Sequence, residues 1–171
     1  MWVLVLIENF KTTSRTSLVV NFLLSLLVCA GLLYFPSCGD LPKLIDQFVN
    51  NTISVLSLLV GFTVAMFTLL ITASNPNIDE IKKLNTDFML YSEQVSIFKM
   101  LLIRTAYIIL IESILLLFNL IYPFVFQAGS MTGKIFFSLD TFMLTHIILA
   151  NIGSIVDLYF VLTKKNDPAS R

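Results

Sequence analysis

Six polar side chains interrupt two long apolar stretches of this sequence, residues 101–126 and 135–162. In chain order they are Arg104, Glu112, Asn119, His146, Asn151 and Asp157. A charged side chain at the middle of a bilayer costs roughly 2.5–3.5 kcal/mol on insertion scales, so such residues normally face protein or water. The six residues therefore predict an intramembrane polar network, either a path for protons or ions or a set of bonds between helices.

The connection between the two stretches is short, which predicts an antiparallel pair of helices. Counting depth at about 1.5 Å per residue from the shared end places the six residues in three pairs. The predicted pairs are Arg104 with Asp157, Glu112 with Asn151, and Asn119 with His146.

Two roles are open for this network. Glu112, His146 and Asp157 could line a proton or ion path. Alternatively the bonds only hold the two helices together, and such bonds average about 0.6 kcal/mol in membranes. The second role is favoured, because one histidine and one deep carboxylate are few groups for a conduction path.

The composition places these helices in a membrane protein. Apolar residues make up 57% of the chain and charged residues 13%, with a mean hydropathy of +0.88; soluble domains are roughly 25% charged. Four stretches approach or exceed the ~20 residues that cross a bilayer as a helix. They are residues 18–35, 53–73, 101–126 and 135–162. We expect one all-α domain over residues 1–171, with four spans in two antiparallel hairpins.

Lysine and arginine set the expected orientation. Nine of the eleven basic residues lie in the N-terminal arm, the connection 74–100, the start of the third span and the C-terminal tail. Only Lys43 and Lys134 lie in the other two connections. Basic residues concentrate on the cytoplasmic side, so both termini are predicted to be cytoplasmic.

Small residues form a stripe along the second span at spacings of three and four. They are Ser57, Gly61, Ala65, Thr68 and Thr72. Ala150 and Gly153 add a second small patch on the face of the fourth span that carries His146 and Asp157. Small residues let helix backbones approach closely in lipid. A contact within the chain is favoured for the stripe over an oligomer seam or pore wall.

The connection 74–100 is the largest polar element. Asn77 with Glu80 resembles a capping box, and an apolar stripe continues to Leu102 at helical spacing. One unbroken helix would be roughly 36 Å long, which conflicts with returning the chain to the third span. A break at 85–87, with Thr86 capping a second helix, is favoured over a helix that swings out toward a neighbouring subunit.

Two further segments are expected to be helical. Residues 41–49 have the spacing of a short amphipathic helix on the outer surface that leads into the second span. Residues 1–10 fit an interfacial segment on the cytoplasmic side and, equally, an extension of the first span.

Several classes of function lack their signatures. The sequence has no glycine-rich phosphate loop, no H-E-x-x-H and no cysteine–histidine cluster, so no enzyme activity, cofactor or metal site is predicted. Its formal net charge is zero without a basic block, which argues against direct nucleic-acid binding.

The chain resembles the KwaA family, the membrane subunits of the Kiwa anti-phage defence system. The resemblance rests on size, four spans with both ends inside, the cytoplasmic connection, and the stretch from Gly61-Phe62 through Ser74-Asn75 that closes the second span. It implies a homo-oligomer, a tetramer, in the bacterial inner membrane that senses phage attachment and works with a soluble, KwaB-like cytoplasmic effector. The implied partner-binding residues are Asp79, Glu80, Lys82, Lys83, Asp87, Glu93, Lys164 and Lys165.

Three functions thus remain open. The first is a membrane sensor or scaffold that recruits a cytoplasmic effector, the second is a small oligomeric ion channel using Glu112 and His146, and the third is a membrane immunity or toxin-type protein. The first is favoured, because the only well-patterned polar surface lies on the predicted cytoplasmic side.

Overall fold

The computed structural model describes residues 2–34, 41–73, 76–125 and 131–163, which form six helices and one β-hairpin. In chain order these are α1 (Trp2–Thr12), α2 (Arg15–Tyr34), α3 (Leu41–Thr72), α4 (Pro76–Lys83), β1 (Asn85–Leu90), β2 (Glu93–Ser96), α5 (Ile97–Val125) and α6 (Met131–Thr163). The chain is therefore predominantly helical, as predicted.

Three of these helices, α3, α5 and α6, are long and apolar enough to cross a membrane. Helices α1 and α2 meet at a bend of 109° after Thr12, and the pair passes the same test only when taken together. The segment 1–10 is thus not a straight extension of the first span. The amphipathic segment 41–49 is not a separate helix either, because α3 continues through it without a break.

The long helices pack in the order α3, α5, α6, α2, with α5 and α6 at the centre. The predicted arrangement of two hairpins is wrong for the first pair: α2 packs on α6, while α3 packs on α5. The reason lies in the apolar face of α3, where Leu56 joins a buried cluster with Ile108 of α5 and Ile147 of α6. Helix α1 lies across α5, with Leu6 against the same cluster.

The stripe of small residues on α3 does not make the expected contact within the chain. All five residues, Ser57, Gly61, Ala65, Thr68 and Thr72, are exposed. The buried face of α3 is the adjacent stripe that contains Leu56, Thr63, Met66 and Leu70. The prediction of a contact within the chain is therefore wrong for this stripe, because larger side chains fill the groove against α5. On α6, Ala150 is half-buried and Gly153 exposed.

The connection between α3 and α5 breaks at Asn85, as predicted, but continues as a hairpin and not as a second helix. Side chains alternate along β1, with Asp87 and Met89 outward and Leu90 buried. Thr86 does not cap a helix: its hydroxyl donates to the carbonyl oxygen of Val95 at 2.7 Å. The cap of α5 is Ser96, whose Oγ accepts from the backbone N–H of Lys99 at 3.2 Å.

Two residues form the turn of this hairpin. Leu90 pairs directly with Glu93, and the residues between them, Tyr91 and Ser92, have φ of 51° and 69°. Positive φ at both central positions is the pattern of a type I′ turn, whose twist matches that of the strands. The left-handed conformation costs roughly 1–2 kcal/mol for a residue with a Cβ. The two-residue turn therefore carries a local free-energy penalty.

Ser92→Gly is expected to stabilise the hairpin by about 1 kcal/mol, because glycine adopts a positive φ without steric penalty. Amide hydrogen exchange of residues 85–96 in detergent micelles measures it, and exchange there should slow several-fold. The matched control is Ser113→Gly on an exposed position of α5, where the same change should destabilise by about 0.5 kcal/mol. Faster exchange in the Ser92→Gly hairpin would contradict the prediction.

Candidate functional site

The first polar layer joins α5 and α6 at the end where α5 begins and α6 ends. Arg104 lies two turns into α5 and forms an ion pair with Asp157 of α6. Both side chains are partly exposed, Arg104 at 21% and Asp157 at 35%. This is the first of the three pairs that the sequence predicts.

The second layer is fully buried and involves three helices. The Asn151 side-chain amide donates to Glu112 Oε1 at 2.7 Å, which is the second predicted pair. Thr63 of α3 joins them, with its hydroxyl 3.2 Å from Glu112 Oε1 and 3.1 Å from Asn151 Oδ1. Glu112 and Thr63 are 0% exposed and Asn151 is 3% exposed. The cluster therefore ties α3, α5 and α6 together at one level.

The Thr63–Glu112–Asn151 cluster has more acceptors than donors. The single hydroxyl proton of Thr63 faces Glu112 Oε1, Asn151 Oδ1 and its own helix carbonyl at Leu59, 2.9 Å away. Glu112 Oε2 is buried and has no hydrogen-bond partner among the described residues. The buried cluster therefore has room in its hydrogen bonding for one further proton, within a region closed to solvent.

The third predicted pair is wrong. Asn119 donates from Nδ2 to Asp140 at 2.8 Å, while His146 Nε2 lies 3.1 Å from the Tyr107 hydroxyl. The reason is helical rotation. His146 is five residues from Asn151, about 140° away around α6, whereas Asp140 is eleven residues away and returns to within about 20° of Asn151. Asp140 therefore shares the line of α6 that meets Glu112 and Asn119, whereas His146 shares the line of Asp157, which meets Arg104 and Tyr107 of α5.

The predicted partner-binding residues of the connection lie together on α4 and the hairpin. Asp79, Lys82, Lys83, Asp87 and Glu93 are exposed and Glu80 is half-buried. Lys164 and Lys165 lie outside the described residues. Lys82 pairs with Asp79 at 3.2 Å, and its ammonium lies 5.3 Å from the centre of the Phe98 ring. The outward surface of this segment is thus charged, with both signs present.

Specific bonds fix this polar segment to the bundle. Asn77 donates from its side chain to the carbonyl oxygen of Leu162, the end of α6, at 2.9 Å. At the tip of the hairpin, the Tyr91 hydroxyl donates to Glu8 of α1 at 3.2 Å, and this bond raises the pKa of the Tyr91 phenol. The segment α4–β1–β2 is therefore held by α1, α5 and α6.

No group of three or more His, Cys, Asp or Glu side chains within residues 2–34, 41–73, 76–125 and 131–163 is arranged to hold a metal ion. Comparison with known proteins gives no assignment, since no protein-family model, curated protein or solved structure matches the chain. The function is therefore inferred from the residues and their geometry.

Proposed function

We propose that this protein is an oligomeric sensor or scaffold subunit in the bacterial inner membrane, part of an anti-phage defence system, that recruits a soluble cytoplasmic effector. The surface for the effector is the segment α4–β1–β2. One observation carries the proposal: a folded polar segment is fastened to the bundle through Asn77 and Tyr91 while it presents outward charges.

The outward face of the hairpin has the character of a recognition surface. Tyr91 is 67% exposed and Met89 is 56% exposed, beside the charged Asp87 and Glu93. Aromatic residues and methionine are enriched in protein–protein interfaces. Because the type I′ turn fixes the tip, little conformational entropy is lost when a partner binds.

Orientation and copy number are part of the same proposal. In this proposal the bent pair α1–α2 is the fourth span and both termini and the hairpin are cytoplasmic, which the distribution of basic residues supports. The exposed stripe of small residues on α3 supports assembly of copies, a tetramer by the KwaA resemblance, because such stripes associate helices in lipid.

An ion channel is the second candidate, and the unpartnered Glu112 Oε2 is the observation that favours it. A path through both Glu112 and His146 has less support. The partners of Glu112 are Thr63 and Asn151, and the described partner of His146 is Tyr107. A channel would therefore have to use Glu112 alone.

The experiment reverses the charges on α4 and measures both protection of cells against phage and co-purification of a soluble protein. A quadruple variant with Asp79→Lys, Glu80→Lys, Lys82→Glu and Lys83→Glu is expressed together with the genes that neighbour its own, and cells are challenged with phage. We expect loss of at least tenfold in plating protection, together with loss of a co-purifying soluble protein. The matched control reverses Lys43 and Lys134, two exposed residues at the opposite end of the bundle, and should retain both.

Full protection by the α4 variant would contradict the proposal, as would a Glu112-dependent current in planar bilayers from the purified chain alone. The latter result would support the channel.

A further inference from the structure

An apolar cavity of about 550 Å³ lies between α1, α2, α5 and α6. Its walls include Leu6, Phe10, Phe22, Ile111, Phe142 and Met143. The rings of Phe22 and Phe142 contact each other edge to face, with 5.5 Å between their centroids. Sites for small molecules typically have volumes of roughly 300–1,000 Å³ and mostly apolar walls, so the size and lining fit a ligand.

A polar recess adjoins this cavity and shares Leu18, Tyr107 and His146 with it. The recess is lined by side chains of the opposite character: Asn9, Thr13, Ser17, Asn21 and Arg104. The hydrogen-bonded pair Tyr107–His146 therefore stands at the boundary between a polar and an apolar compartment.

The two compartments follow one another along the helix axes. On α5 the lining passes from Arg104 through Tyr107 to Ile111, about 10 Å at 1.5 Å per residue. Helix α6 repeats the order, with Gly153 in the recess and Phe142 in the cavity, whereas the two linings interleave on α2. The polar compartment thus lies at the end where α2 and α5 begin, and the apolar one lies deeper. An amphiphile in a bilayer has the same order, with a headgroup at the surface and chains in the core.

The charges around the recess favour an anion. Lys11 and Arg15 flank the bend between α1 and α2, are exposed, and form no ion pair with any residue of the described segments. Of the nearby acids, Asp157 is paired with Arg104, and Glu8 accepts from the neutral Tyr91 hydroxyl and keeps its charge, so Lys11 and Arg15 outnumber it. Lys11 and Arg15 are each two residues from a residue that lines the recess, Thr13 and Ser17 respectively, and therefore leave positive charge beside it for a phosphate.

We propose that this site binds an anionic phospholipid from the leaflet that meets Lys11 and Arg15. One acyl chain occupies the apolar cavity, and the phosphate lies in the polar recess beside the two basic side chains. A helix from a second copy does not fit, because a helix with its side chains is about 10–12 Å wide, whereas a single acyl chain is much narrower and can lie along the apolar walls of the cavity.

The test uses a tryptophan reporter inside the cavity. The chain has a single tryptophan, Trp2, so Trp2→Phe gives a silent background and Phe142→Trp adds the reporter. The protein is reconstituted in phosphatidylcholine vesicles that contain a fixed fraction of lipid with brominated chains, which quench tryptophan on contact. We expect the binding constant from quenching to be at least threefold higher for brominated phosphatidylglycerol than for brominated phosphatidylcholine. Phe22→Trp is an independent reporter if the first variant fails to insert.

The controls separate a site from ordinary lipid contact. Leu117→Trp, an exposed position on α5, should be quenched equally by the two brominated lipids. Lys11→Gln with Arg15→Gln should remove the headgroup preference at the Phe142→Trp reporter while leaving quenching itself. Equal quenching at that reporter by both lipids would overturn the anionic site, and no quenching by either would show that protein, for instance a second copy, fills the cavity.

Discussion

Replacing Asn151 with leucine is expected to destabilise the helix bundle by about 2 kcal/mol. The change removes the N–H donor whose nitrogen lies 2.7 Å from Glu112 Oε1 and leaves a fully buried carboxyl group with Thr63 as its one remaining partner within the part of the chain that the structure describes. A buried polar group that loses its partner costs about 1–3 kcal/mol. The measurement is reversible unfolding of the micellar protein in increasing SDS, followed by far-UV circular dichroism.

A second substitution should recover most of this loss. In the Asn151→Leu background, Glu112→Leu removes the stranded carboxyl, and replacing both partners of a hydrogen bond by apolar groups is nearly neutral. Thr63 keeps its bond to the Leu59 carbonyl oxygen in that variant. The matched control is Asn50→Leu on the exposed face of α3, which should shift stability by less than about 0.5 kcal/mol. If the double variant is less stable than Asn151→Leu alone, the Glu112–Asn151 pair is not the source of the effect.

Residue spacing along two adjacent antiparallel helices is enough to predict the first two polar layers. Arg104 meets Asp157 and Glu112 meets Asn151 because the helix rise fixes their depth. Depth alone fails for Asn119, because it ignores rotation about the axis. The eleven-residue spacing from Asp140 to Asn151 places Asp140 on the line of α6 that meets Glu112 and Asn119, whereas His146 lies on the line that meets Tyr107.

The third helix of the buried cluster was not predictable from polarity. Thr63 is an ordinary threonine in an apolar span, and its only signal is its place in the stripe with Leu56, Met66 and Leu70. The small residues beside that stripe indicate close packing but do not identify the helix against which they pack. Such a pattern cannot distinguish a helix of the same chain from one of another copy, and here those residues remain exposed.

The sequence does not predict the hairpin, because apolar residues in 81–102 recur every three or four positions, as in a helix. Residues 85–90 are three polar residues followed by three apolar ones, without the period-two alternation that indicates a strand. The usual signal for a two-residue turn is Asn-Gly or Asp-Gly, and this chain has Tyr91-Ser92 instead. Contacts of Leu90 and Val95 with Ile103 of α5 select the strand, and those contacts are not local in sequence.

Breaking the ion pair between α5 and α6, by either Arg104→Leu or Asp157→Leu, is expected to lower the free energy of unfolding by about 2 kcal/mol. The pair is intermediate in exposure, between surface pairs worth about 0.2–1 kcal/mol and buried pairs whose rupture costs about 3–5 kcal/mol. Each single change leaves an uncompensated charge at the level of the polar recess. The double variant should therefore be more stable than either single one, and the SDS unfolding midpoint measures the difference.

A second ion pair in the same chain serves as the control for that cycle. Lys82 and Asp79 are 47% and 62% exposed and bond at 3.2 Å on α4. Lys82→Leu and Asp79→Leu should each change stability by less than about 1 kcal/mol, with little coupling between them, because water screens exposed charges. Equal coupling energies for the two pairs would mean that Arg104 and Asp157 are solvated as freely as a surface pair. That result would place the first polar layer in water and not between packed membrane helices.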